Sequence, residues 1–101
     1  MPRKSFDAET LARLREVDCV RVFNSLDGFF KRDISFSPVK SAFTERWHCT
    51  TATGEFELLV TGPKWYDTRR KRGGGGAIDL AMALTNASFV ESVKLLVERG
   101  L

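Results

Sequence analysis

From Asp7 onward the apolar positions recur at helical spacing. Leu11, Leu14 and Val17 share one face, Asp7 stands where a cap belongs, and Glu9 lies in the first turn. Asp18 opens a second short helix with Cys19, Val22, Phe23 and Leu26 on its buried side, and Asp27-Gly28 ends it. Residues 1–6 read as a loose arm. At Phe29 the period changes. Phe29 to Phe36 is rich in aromatic and β-branched residues, carries Lys31, Arg32 and Asp33, and breaks at Ser37-Pro38. Arg46 to Thr53 reads as a strand, Thr53-Gly54 as a turn and Glu55 to Thr61 as the hairpin partner. Gly62-Pro63 makes another turn before a strand over Lys64 to Thr68. Two short helices follow, Ala77 to Leu84 and Phe89 to Glu98. Ser88 caps the second of them and Glu91 completes a capping box.

The order is helix–helix, three or four antiparallel strands, helix–helix. It predicts an α+β domain in which a small meander sheet carries its helices on one side. With 101 residues, no internal repeat and no dividing linker, the chain is expected to form one domain. Its hydrophobic fraction of 43%, with eight Phe and two Trp, supplies a core without metal or disulfide. Two cysteines, Cys19 and Cys49, do not make a disulfide framework. No apolar segment follows Arg3-Lys4 as a signal peptide would require, and no run approaches the ~20 residues of a membrane span. A cytoplasmic location is the expectation.

Charge changes the picture through its placement. The net charge is only +3, but Arg3-Lys4 and Arg69-Arg70-Lys71-Arg72 hold six of the sixteen Lys and Arg residues. The second cluster runs into Gly73-Gly74-Gly75-Gly76 and then into a helix start at Ala77-Ile78-Asp79. Glycines permit close backbone approach, a helix start offers free N–H groups, and cations concentrate field. Together they describe a phosphate site. A solvated loop and a flexible turn joining sheet to helix are the structural alternatives. No Walker motif and no dinucleotide fingerprint is present, which turns the expectation from a mononucleotide to a nucleic-acid backbone.

Aromatic residues extend the site. Trp65 and Tyr66 alternate across a strand, so one belongs to the core and the other can stack on a base. Lys64 and Arg46 flank such a platform, and Lys31 and Arg32 extend it. His48 and Cys49 are strand neighbours that point to opposite faces and cannot act on one group. No paired carboxylates and no nucleophile–base pair point to catalysis.

These residues carry a resemblance to the N-terminal zinc-ribbon domain of bacterial DNA primases, over roughly residues 8 to 99. Val17 to Phe23 resembles that family's second helix, and Phe29-Phe30-Lys31-Arg32 its basic segment. Trp65-Tyr66 precedes the place of its second ligand pair. Gly74 to Met82 resembles its glycine turn and helix start, and Ser88 to Leu96 its closing helix. The chain departs from the family at the metal. Thr68 and Lys71 stand where the second Cys-x-x-Cys belongs, and His48-Cys49 are adjacent rather than spaced. A structural zinc site needs four ligands, so no zinc and no other cofactor is expected. Trp47, Phe56, Leu58, Val60 and Trp65 are expected to hold the sheet instead.

The resemblance implies a non-catalytic domain that contacts single-stranded template, of the zinc-less kind expected in plasmid or mobile-element replication and transfer proteins. The expected site is Arg69, Arg70, Lys71 and Arg72 on phosphates, Gly74 to Gly76 close to the backbone, and Trp65 or Tyr66 on a base. The alternative is an interaction module that docks on a primase, helicase or relaxase without contacting DNA itself. An exposed apolar patch of Phe29, Phe30 and Phe43 would favour it.

Overall fold

The structure is a computed structural model that describes residues 7–39 and 41–101. The expected loose arm at residues 1–6, with Arg3 and Lys4, lies outside the described residues.

The domain is α+β. Two helices, α1 (Ala8–Arg15) and α2 (Cys19–Ser25), precede five strands, and α3 (Ala77–Thr85) and α4 (Phe89–Glu98) close the fold. The strands are β1 (Phe29–Arg32), β2 (Glu45–Thr51), β3 (Gly54–Thr61), β4 (Lys64–Asp67) and β5 (Arg72–Gly75). They form one antiparallel meander in sequence order, β1-β2-β3-β4-β5.

Helices α1, α2 and α4 begin where their caps say. Asp7 accepts from the Thr10 N–H at 2.7 Å, and Asp18 from the Val20 N–H at 2.9 Å. Ser88 and Glu91 exchange the reciprocal bonds of a capping box, both at 3.1 Å. A cap of this kind stabilises a helix by about 1 kcal/mol. The start of α2 is tied to the β3–β4 turn, because the Cys19 N–H donates to the Gly62 carbonyl at 2.9 Å. At the far end of α3, the hydroxyls of Thr51 and Thr53 donate to the Leu84 carbonyl at 2.7 and 2.9 Å, locking the β2–β3 hairpin onto the helix.

Strand alternation divides the sheet into two faces. The inner face presents Cys49, Phe56, Leu58, Val60 and Trp65, all buried, to the helices. Leu14, Val22, Phe23, Leu80, Leu84, Val93 and Leu96 complete the core. Phe23 joins the sheet to α2 through Phe30 and Trp47, with ring centroids 5.2 and 5.0 Å away. Of the residues expected to hold the sheet, Phe56, Leu58, Val60 and Trp65 are buried and Trp47 is half-buried against them. Among the described residues, no helix lies over the outer face. Residues of the long β1–β2 connection, Phe36, Pro38 and Val39, lie over part of it.

Two boundaries differ from expectation. The Phe29–Phe36 stretch is a strand only to Arg32, because the Asp33 carboxylate accepts from the Ser35 N–H and hydroxyl at 2.9 and 2.6 Å and turns the chain. The expected glycine turn is a fifth strand. Gly73, Gly74 and Gly75 pair with Tyr66, Trp65 and Lys64 and form one edge of the sheet.

Candidate nucleic-acid interface

The register of β3 and β4 builds the site on the outer face. Leu59 lies opposite Tyr66, and Thr61 opposite Lys64. Phe36, Pro38 and Val39 close one side. The result is an open groove of about 460 Å³ with mostly apolar walls. Tyr66 is 44% exposed, and its ring leans over the edge strand: a Cβ placed on Gly73 would meet Tyr66 Cδ1 at 3.1 Å. Trp65 faces the other way and is 5% exposed, so it is a core residue and not a stacking surface. Of the two aromatic candidates, only Tyr66 is reachable by a base.

The basic run is the turn between β4 and β5. Its centre is Asp67, 2% exposed, which accepts from the backbone N–H groups of Arg69 and Arg70, both at 2.9 Å. Arg70 folds back onto this carboxylate at 3.1 Å and over the Phe56 ring at 4.2 Å, so it serves the turn and is not a free phosphate contact. Arg69 touches Glu55 at 3.9 Å with both side chains largely in solvent, a pairing too screened to hold it. Lys71 takes a left-handed φ of 55° at the tip and is exposed, as is Arg72. Among the described residues, no carboxylate pairs with Lys64, Lys71 or Arg72.

The remaining candidates separate from this cluster. Arg46 is held by Asp33 at 2.8 Å and by Glu57 at 3.4 Å, and it covers the Phe36 ring at 5.1 Å, so its charge is spent within the fold. Asp33 answers to the same contacts. Its bonds from Ser35, then from His48 and Arg46, hold its carboxyl well below the usual carboxylate range. Arg32 pairs with Glu45 at 3.7 Å, and Lys31 lies opposite His48. Both are on β1, three strand spacings or about 14 Å from β4. The sequence candidates therefore form two groups, and at the β4–β5 end the side chains of Lys64, Tyr66, Arg69, Lys71 and Arg72 are the exposed ones not tied into the core or the turn.

Gly74 and Gly76 have a task other than backbone approach. A Cβ on Gly74 would collide with the Asp79 carboxylate and reach Trp65 Cζ2 at 2.8 Å. Gly76, at φ 90°, packs on α1, where a Cβ would meet Arg15 Cα at 3.0 Å. Gly74 and Gly76 thus serve internal packing. Gly73 and Gly75 are exposed and leave the edge of the sheet without side chains.

Sequence reasoning missed Leu59 and Phe36. The signal for Leu59 was present: Leu58-Leu59-Val60 interrupts the alternation of β3 and places a leucine outward. His48 and Cys49 do lie on opposite faces, the first with Asp33 at 3.1 Å and the second buried. Burial pushes the Cys19 and Cys49 thiols up to about 12, so both are protonated at neutral pH and poor metal ligands. Among the described residues, no three His, Cys, Asp or Glu side chains converge. Among the same residues, no single helix is long and apolar enough to cross a membrane.

Comparison with protein-family models, curated proteins and solved structures gives no match.

Proposed function

We propose that this domain is a non-catalytic binder of single-stranded nucleic acid, DNA in the first instance. The strand would lie on the outer face of the sheet at its β4–β5 end. The observation that carries this reading is Tyr66, an aromatic ring standing half in solvent on the outer sheet face, beside Lys64 and a cationic turn. Base–aromatic stacking is tolerant of sequence, and the cations track phosphates. A role in replication, priming or mobile-element maintenance rests on the resemblance to the primase zinc ribbon and is proposed with it, and a cytoplasmic location is proposed alongside.

A labelled ~20-nucleotide oligothymidine, followed by fluorescence anisotropy, tests the reading. Tyr66→Ala is expected to weaken binding about tenfold, the worth of one stacked base, and duplex competitor to displace the strand poorly. Equal affinity of Tyr66→Ala and wild type overturns the assignment.

A second reading has its own observation. Phe29 is 63% exposed and Phe43 82%, with Ile34 and Val39 exposed as well. Phe30 does not join them, because it stacks on Phe23. Apolar exposure of this kind marks a protein-docking surface. In that reading the domain binds a replication or transfer protein. Wild-type protein then shows no oligothymidine binding at tens of micromolar, and Phe29→Ser with Phe43→Ser weakens binding to the partner protein.

A further inference from the structure

Strand β5 ends the sheet with its main chain bare. Gly73 and Gly75 are exposed, and a Cβ on Gly75 would meet nothing within 4 Å. The fold crowds Gly73 and Gly74, which explains those two glycines. At Gly75 neither crowding nor a positive φ asks for one. A glycine of that kind in a strand marks a place where another backbone can come close. The opposite edge of the sheet, β1, carries Lys31 and Arg32, and charged edges resist pairing.

The hydrogen bonds show which main-chain groups of this edge are open. The Gly75 N–H donates to Asp79 Oδ2 at 3.2 Å, and the Gly76 N–H to the Pro63 carbonyl at 2.9 Å. Residues of an antiparallel ladder bond to the neighbouring strand alternately. Arg72 and Gly74 therefore bond to β4, while the Gly73 N–H and the carbonyls of Gly73 and Gly75 point away from the sheet. These three groups have no partner among the described residues. The edge thus offers one donor and two acceptors. Phosphate oxygens only accept, so a nucleic-acid backbone leaves the carbonyls unanswered. Another polypeptide strand answers both kinds of group.

Charge selects the strand. Arg72 opens β5, and Asp79 stands at Gly75, where β5 ends. Both line the helix side of the edge, both are exposed, and neither has an ion-pair partner among the described residues. A uniformly acidic peptide would meet Asp79, and a uniformly basic one Arg72. A strand with both signs in the opposite order fits, and β5 reversed is such a strand. We propose that β5 pairs antiparallel with β5 of a second copy of this chain, about a two-fold axis at Gly74. Gly73 then lies opposite the partner's Gly75 and donates to its carbonyl. Arg72 comes to the end where the partner's Asp79 stands. The two-fold repeats both contacts, so the interface is isologous. Its strands are four residues long, short of the roughly 1,200 Å² of a standard interface, and the dimer is accordingly weak. The pairing goes beyond the strand-binding reading and does not rest on it. It would set two Tyr66 residues on one outer face, three strand spacings or about 14 Å apart.

Sedimentation equilibrium of the full chain without nucleic acid, taken up to roughly 1 mM because the interface is small, tests the pairing. A monomer–dimer equilibrium is expected. Over the same range the Gly73 amide should shift in a ¹H–¹⁵N spectrum and exchange more slowly, while the Gly75 amide, already bonded to Asp79, keeps its exchange rate. Arg72→Glu places a like charge against the partner's Asp79, and Asp79→Arg does so against the partner's Arg72. Each variant alone should dimerise about tenfold more weakly or worse. Mixed in equal amounts they restore both ion pairs, and a heterodimer near the wild-type affinity is expected. A monomer at every concentration overturns the proposal. So does a dimer that leaves the Gly73 amide unmoved or that Arg72→Glu does not weaken, and these two results stand even if Asp79→Arg fails to fold. The two readings fail separately. Oligothymidine binding by a strict monomer sinks the pairing alone; a dimer indifferent to oligothymidine sinks the outer interface alone.

Discussion

Two adjacent glycines behave oppositely, and the reason is what each Cβ would meet. At Gly74 it would strike the Asp79 carboxylate and press on Trp65, which is fixed in the core. At Gly75 nothing lies within 4 Å and φ is not positive. Overpacking a fixed site costs about 1–3 kcal/mol, while a substitution into open space stays within about 0.5 kcal/mol. Gly74→Ala is therefore expected to lower the urea midpoint, and Gly75→Ala to leave it unchanged or raise it slightly. Equal midpoints would mean that the glycine run is a linker after all.

The turn of the β4–β5 hairpin is organised by one carboxylate. Asp67 takes two backbone N–H bonds and the Arg70 guanidinium while 2% exposed. Asp67→Ala removes all three, and thermal unfolding should show a loss of about 2–3 kcal/mol. Asp67→Asn keeps an acceptor for the N–H groups and should lose less. A change within about 0.5 kcal/mol for the alanine variant would show that the turn is held elsewhere. This hairpin is also where sequence and structure part. Caps at Asp7, Asp18 and Ser88 and the alternation of Phe56, Leu58 and Val60 act locally, so four helices and three or four strands were legible. Strand β5 was not, because Gly73-Gly74-Gly75 has neither β-propensity nor alternation. Its cause lies in Tyr66, Trp65 and Asp79, which crowd it from other elements. The site was legible in part for the same reason. The cations could be counted, but which of them the fold had already paired depended on Asp33, Glu57 and Asp67 arriving from a distance.

Across the whole molecule, a net charge of +3 understates one end and overstates the other. Near β4–β5, Lys64, Lys71 and Arg72 have no carboxylate partner among the described residues. Near β1, Arg32 and Arg46 are paired with Glu45, Asp33 and Glu57. A cation contributes to salt-dependent binding only if it displaces counterions from a phosphate, at about 0.7 in the log–log slope per contact on a single strand. Alanine at Lys64, Lys71 and Arg72 together should then flatten the oligothymidine slope by about 2. Alanine at Lys31 and Arg32 removes two charges from the far edge and should leave the slope as it was. The comparison separates position from charge. Equal flattening per charge at both ends would mean that the strand follows net charge alone, and the β4–β5 interface would fall; flattening confined to the first set would tie the phosphates to the same end of the sheet as Tyr66.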